Sequence, residues 1–180
     1  IVEKLADEFA APSIDFPIPL KGKKTLNFSF SGIKTAVRNE AIKKGVFVEG
    51  KELISYDEFK ELPENEQKVA TRDIAASFQK TVVTIIMERF EEALEQYPLD
   101  RIAITGGVAS NGGIREGLHS LAERRKKRFF FPDRRNCTDN AAMIGYTALQ
   151  YYLRGKVNQE GYMRLNAASK SPLGLMNVKR

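Results

Sequence analysis

The sequence predicts an α/β fold, mostly helical, around a small and incomplete parallel sheet. Two patterns carry that prediction. In residues 66–97, Ile74, Phe78, Val82, Ile85 and Phe90 recur at steps of three to five with no Gly or Pro among them, which is a long helix. In residues 99–153, short apolar runs alternate with helical patterns over short connections, and that order implies parallel pairing through a right-handed crossover. With 180 residues, 42% of them hydrophobic, the chain can bury a core of its own.

The elements follow in order. Ile1, Leu5 and Phe9 stand at helical spacing, and a chain that opens on Ile1 inside such a pattern reads as part of a longer protein. Pro17 and Pro19 then exclude helix, and Lys21-Gly22-Lys23-Lys24 makes a basic turn. Asn27 through Ser31 alternates polar and aromatic residues and breaks at Gly32 into a helix carrying Ile33, Ala36 and Val37. A connection with Gly45, Gly50 and Pro63 leads to the long helix, which Pro98 ends; Glu88, Arg89, Glu91, Glu92 and Glu95 are expected on its solvent face. Arg101–Thr105 is a strand stopped by Gly106-Gly107, and a helix bearing Ile114, Leu118 and Leu121 follows. Phe129–Phe131 is a second short buried strand, ended by Pro132. Thr138 is the expected cap of a last helix with Met143, Tyr146, Leu149 and Tyr151. Residues 1–153 are therefore expected to form one lobe, with 154–180 as a tail on or near it.

Composition removes several function classes. No apolar stretch of the length that spans a bilayer (roughly 18 residues) is present, and the N-terminal residues do not read as a signal peptide. The single cysteine, Cys137, cannot form an internal disulfide, which fits a reducing cytoplasm. His119 is the sole histidine and HExxH is missing, so neither a two-histidine metal site nor a zinc protease centre can be built here. The net charge of +6 is uneven: Arg124, Arg125, Lys126, Lys127 and Arg128 form one run, followed by Arg134 and Arg135. Such a surface attracts a polyanion, and it is equally what a solvated helix end looks like.

Two loops could carry chemistry. The first is Ile104 through Gly113. Ligands of open α/β sheets bind beyond the strand ends beside helix N-termini, and Gly106 and Gly107 would let one approach the backbone. Asn111 offers a donor and an acceptor to a base or ribose, or it simply caps the helix. The second is Asn136 through Ala142. Asp139, expected in the first helical turn, is either a metal-ligating carboxylate or a charge that steadies the helix start. Ser31-Gly32-Ile33-Lys34-Thr35 is not a P-loop, because the GxxxxGK[ST] frame is absent.

Together these segments resemble one family, the tRNA N6-adenosine threonylcarbamoyltransferases, also called glycoprotease-like proteins. The resemblance rests on Phe28–Val37 (FSFSGIKTAV), Asp73–Gln79 (DIAASFQ), Gly106–Asn111 (GGVASN) and Cys137–Ile144 (CTDNAAMI), in family order. It implies a lobe of the actin-like ATPase (ASKHA, ribonuclease H-like) fold. It also implies transfer of a threonylcarbamoyl group from threonylcarbamoyl-adenylate to N6 of adenosine 37 in ANN-decoding tRNA, with help from partner proteins of that pathway.

By the same resemblance, Asn111 with Gly106 and Gly107 would contact the nucleotide, ATP or the adenylate. Asp139 would ligate iron or zinc. Glu3, at the end of the family's GGPxI[DE] motif, would accept ribose hydroxyls. The Arg124–Arg128 run with Arg134 and Arg135 would hold tRNA phosphates. The family's HxxxH metal ligands and glycine-rich phosphate segment have no match here, so the chain resembles a C-terminal part, expected to be inactive alone and to self-associate through exposed apolar surface. Two other readings stay open: an actin-like ATPase or kinase of different specificity, and a non-catalytic scaffold that binds partner proteins.

Overall fold

A computed structural model of the chain describes residues 1–9, 11–47 and 56–156. Gly50 and the expected tail from 157 onward lie outside the described residues. The chain divides into two units, Ile1–Thr138 and Asp139–Arg180. The first holds α1 (Val2–Asp7), α2 (Ile33–Lys43), α3 (Tyr56–Glu61), α4 (Glu66–Gln96), β1 (Arg101–Ala103), α5 (Gly112–Arg124) and β2 (Arg128–Phe130). The second holds α6 (Ala141–Leu153). No described helix is long and apolar enough to cross a membrane.

The periodicity of residues 66–97 is one helix of 31 residues, about 46 Å long at 1.5 Å per residue. Asn65 starts it, its side chain accepting the Lys68 N–H at 2.9 Å. Tyr97, extended before Pro98, ends it. α4 organises three cores along its length. Ile86 packs with Ile114, Leu118 and Leu121 of α5. Ala75 packs with Leu5 and Phe59. Ile74 packs with Phe16 and Ala41. Burial of side chains such as Leu118 and Leu121 stabilises by roughly 1.5–3 kcal/mol each. The helices α4 and α5 approach closely because Gly117 has no Cβ; one placed there would lie 3.0 Å from Met87 Sδ and 3.3 Å from Val83 Cγ1.

Because α4 has neighbours on several sides, the expected solvent face is not all solvent. Arg89 is only 6% exposed. Its guanidinium donates to the carbonyls of Leu20, Lys23 and Thr25, so it clamps the basic turn onto α4. Buried Asp73 plays the matching part for the chain before that turn. It accepts the Ser13 N–H at 2.8 Å, the Ser13 hydroxyl at 2.6 Å and the Ser77 hydroxyl at 3.1 Å. Segments without regular structure are thereby fixed by side chains of the helix they cross.

The sheet is small. β1 and β2 pair in parallel with Ile102 opposite Phe129, and α5 makes the crossover, as the sequence predicts. β1 is shorter than expected, ending at Ala103, and β2 begins one residue earlier than expected and is not buried: Phe130 is 49% and Phe131 47% exposed. Asn27 to Phe30 has no regular structure and belongs to no strand, and a turn at Ser31 and Gly32, the latter at φ +85°, leads into α2.

In the second unit, Asn140 caps α6, its side chain accepting the Met143 N–H at 2.9 Å. Thr138 is not the cap, and Asp139 stands one residue before the cap rather than in the first turn. Ile144, Tyr146 and Leu149 are exposed on α6.

Candidate functional site

The first unit carries a cleft of about 750 Å³, within the range of small-molecule sites. Glu3 and Asn111 line it together with Lys34, Phe78, Gln79 and Ser110. Two chain segments more than a hundred residues apart thus meet at the N-terminus of α5. The turn into that helix is built for close approach. Gly106 sits at φ +90°, a conformation costly for any other residue, and nothing lies within 4 Å of where a Cβ on Gly106 or Gly107 would stand. A short 3₁₀ turn, Gly107–Ser110, follows, closed by the Ser110 hydroxyl on the Gly107 carbonyl at 2.7 Å.

Asn111 is the cap of α5, accepting the Ile114 N–H on Oδ1 at 3.0 Å. Its Nδ2 donates to Gln79 Oε1, also at 3.0 Å. An amide oxygen has two lone pairs and an amide nitrogen two protons, so one acceptor and one donor remain for a ligand. Capping and ligand reading are therefore compatible in one side chain. Glu3 accepts the Gly112 N–H on Oε1 at 2.6 Å, which leaves its other oxygen available to hydroxyl donors. A Cβ on Gly112 would lie 3.1 Å from that Glu3 oxygen and 3.2 Å from the Arg134 guanidinium, so a side chain there would push on both. The Arg134 guanidinium thus lies beside the start of α5, apart from the run at the end of that helix.

The charged run is largely paired within the protein. Arg124 meets Glu91 at 2.9 Å, Arg125 meets Glu95 at 3.3 Å and Lys127 meets Asp100 at 3.3 Å. Arg135 meets Asp133 at 3.4 Å. Lys126, Arg128 and Arg134 make no ion pair among the described residues. Exposed pairs of this kind contribute roughly 0–1 kcal/mol, so a polyanion can displace them.

No group of three His, Cys, Asp or Glu that could hold a metal occurs among the described residues. Asp139 is exposed, and His119 faces Glu123 on the exposed side of α5 at 3.4 Å. Lys34 and Gln79 are cleft residues whose only signal in the sequence is their place in the FSFSGIKTAV and DIAASFQ segments. Gln79 lies six residues after Asp73 in the DIAASFQ segment, so that segment anchors the fold at one end and touches Asn111 at the other.

The family model for tRNA N6-adenosine threonylcarbamoyltransferase (TsaD) matches residues 1–146. The chain belongs to the TsaD family. Relatives carrying that name include one from Clostridium perfringens, 36% identical over 173 residues, and one from Clostridium novyi, 36% identical over 174 residues. Each alignment covers 96% of this chain and 45% of the relative. One from Trichlorobacter lovleyi is 36% identical over 155 residues, covering 86% of this chain and 40% of the relative. The chain thus spans less than half the length of these curated TsaD relatives, and its first unit carries the TsaD motifs that surround the cleft.

Proposed function

We propose that this chain is the nucleotide-holding C-terminal part of an enzyme that transfers a threonylcarbamoyl group to adenosine 37 of tRNA, on an actin-like ATPase scaffold in the cytoplasm. One observation carries the reading: Glu3 and Asn111 face one cleft while each keeps hydrogen-bonding capacity unspent. A purine nucleoside needs this combination. Asn111 presents a donor and an acceptor to the base or ribose, and the free Glu3 oxygen accepts ribose hydroxyls. The apolar walls, with Phe78 and Ile86, cover the flat faces of the ring.

In the reaction, the N6 amine attacks the carbamoyl carbon of threonylcarbamoyl-adenylate, the bond to the phosphate oxygen breaks, AMP leaves, and one amine proton passes to solvent. The role of these residues is to hold the adenylate in a fixed orientation, which is where positioning contributes to rate. Asp139 would supply one oxygen ligand to a divalent metal, iron or zinc, whose other donors come from outside this chain; a bound metal would supply charge stabilisation. Adenosine 37 lies in a single-stranded loop, so no base pair has to be broken to present it. Lys126, Arg128 and Arg134, with their paired neighbours, would bind tRNA phosphates. Partner proteins of the pathway and self-association through α6 belong to the same reading.

The direct test is calorimetric titration of the chain with ATP, native against Asn111→Asp. Aspartate keeps the helix cap and removes the amide donor. Binding by the native chain that weakens at least several-fold in the variant, at unchanged stability, supports the cleft. Equal binding by both removes Asn111 from it.

A further inference from the structure

Arg115 lies one helical turn after Asn111 and outside the cleft, yet its guanidinium joins two loops that are distant in sequence. Its Nε donates to the Ala109 carbonyl, inside the 3₁₀ turn that ends at the cleft. Its Nη2 donates to the Pro132 carbonyl at 2.7 Å and to Cys137 Sγ at 3.1 Å. The same group lies 4.5 Å from the centroid of the Phe131 ring, a cation–π contact. Cys137 is buried, and its thiol also points to the carbonyls of Pro132 and Asp133. One planar fork therefore ties the Gly107–Ser110 turn to residues 131–137, the segment that leads directly to Asp139. A lysine ammonium cannot reproduce that fork or its stacking.

We propose that Arg115 is a positioning residue through which occupancy of the nucleotide cleft orders the 131–137 segment. The ligand half of this proposal rests on the nucleotide reading given above. A ligand engaging Asn111 fixes the 3₁₀ turn; the Ala109 carbonyl then holds the guanidinium, and the guanidinium holds Pro132, Phe131 and Cys137. The device is one side chain with partners at both sites, whose order both sites bias.

Hydrogen exchange of the whole chain, with and without saturating ATP, tests it in native protein, Arg115→Lys and Arg115→Met. Without ATP, both substitutions speed exchange several-fold in 107–110 and in 131–137 together, while the α4 amides around Ile85 stay unchanged and report an intact fold. If Arg115→Met also loosens α4, Arg115→Lys decides. With ATP, the native chain becomes protected in both segments, whereas the Lys variant is protected in 107–110 alone. Loosening of one segment without the other, or ATP protection of 131–137 that survives in the Lys variant, overturns the proposal. Native protection that stops at residue 110 overturns the coupling and leaves the cleft standing. No ATP binding by the native chain overturns the cleft reading, and the ligand half of the proposal with it.

Discussion

The Glu3 carboxylate accepts the Gly112 amide proton at 2.6 Å, joining α1 to the first residue of α5 across 109 positions of chain. The bond satisfies a helix N-terminal donor that has no intrahelical partner, and it puts a negative charge at the positive end of α5. It also holds Glu3 next to the residue that follows Asn111, so both stand on the same cleft.

Glu3→Ala is therefore expected to act twice. It should cost ~1 kcal/mol or more of stability, because a charge-assisted bond to a helix start is lost. It should also weaken ATP binding more than that destabilisation explains, because the ribose acceptor goes with it. Glu3→Gln separates the effects: the cap is largely kept and the charge is not. Urea denaturation and calorimetric titration of the same samples check both.

Asp73 should make stability depend on acid. Burial works to raise its pKa, but hydrogen bonds from Ser13, then Ser77, and the Lys44 charge outweigh it and hold the carboxyl below its ordinary 3.8. The folded state thus binds the proton less readily than the unfolded state. The contribution is complete above the unfolded value and is lost as pH falls through the folded one. Urea midpoints measured from neutral pH down into the acid range should fall more steeply for native protein than for Asp73→Asn. Parallel curves would contradict this assignment.

How much of this was legible in the sequence depends on the range of the interaction that decides it. α4, α5 and the parallel β1–β2 pair follow from periodicity and from stops at Pro98, Gly106 and Pro132, all of which act locally. α3 is not legible, because Tyr56–Glu61 is short and offers no apolar repeat. The burial of Arg89 was missed because three carbonyls in residues 20–25 decide it, and nothing near residue 89 announces them. Asn111 was visible as a cap or a ligand residue; that it serves the cap while keeping spare capacity needed the position of Gln79. Arg115 carried one faint signal, its place one turn after Asn111, but its partners lie in a loop whose position the sequence does not give.

Gly117 should tolerate little bulk. A valine there would press on Met87 and Val83 where α5 packs on α4, and should destabilise by ~1–3 kcal/mol. Gly117→Ala should cost less, since Met87 is flexible enough to yield. Thermal or urea denaturation of the pair gives the ranking.

The basic residues should contribute unequally to RNA binding. Neutralising Lys126, Arg128 and Arg134 together should weaken tRNA affinity and flatten its salt dependence more than neutralising Arg124, Arg125 and Lys127, whose charges are partly met by Glu91, Glu95 and Asp100. Filter binding of unmodified tRNA by the full-length protein over a range of salt checks the order, and equal slopes for the two triple variants would contradict it.

If the cleft between Glu3 and Asn111 serves threonylcarbamoyl transfer, tRNA in the cell records it. The measurement is nucleoside mass spectrometry of tRNA from cells that depend on the full-length protein, native against Asn111→Asp. Threonylcarbamoyl-adenosine is expected to fall sharply in the variant while the protein stays folded and abundant. Modification at the native level in those cells would contradict it.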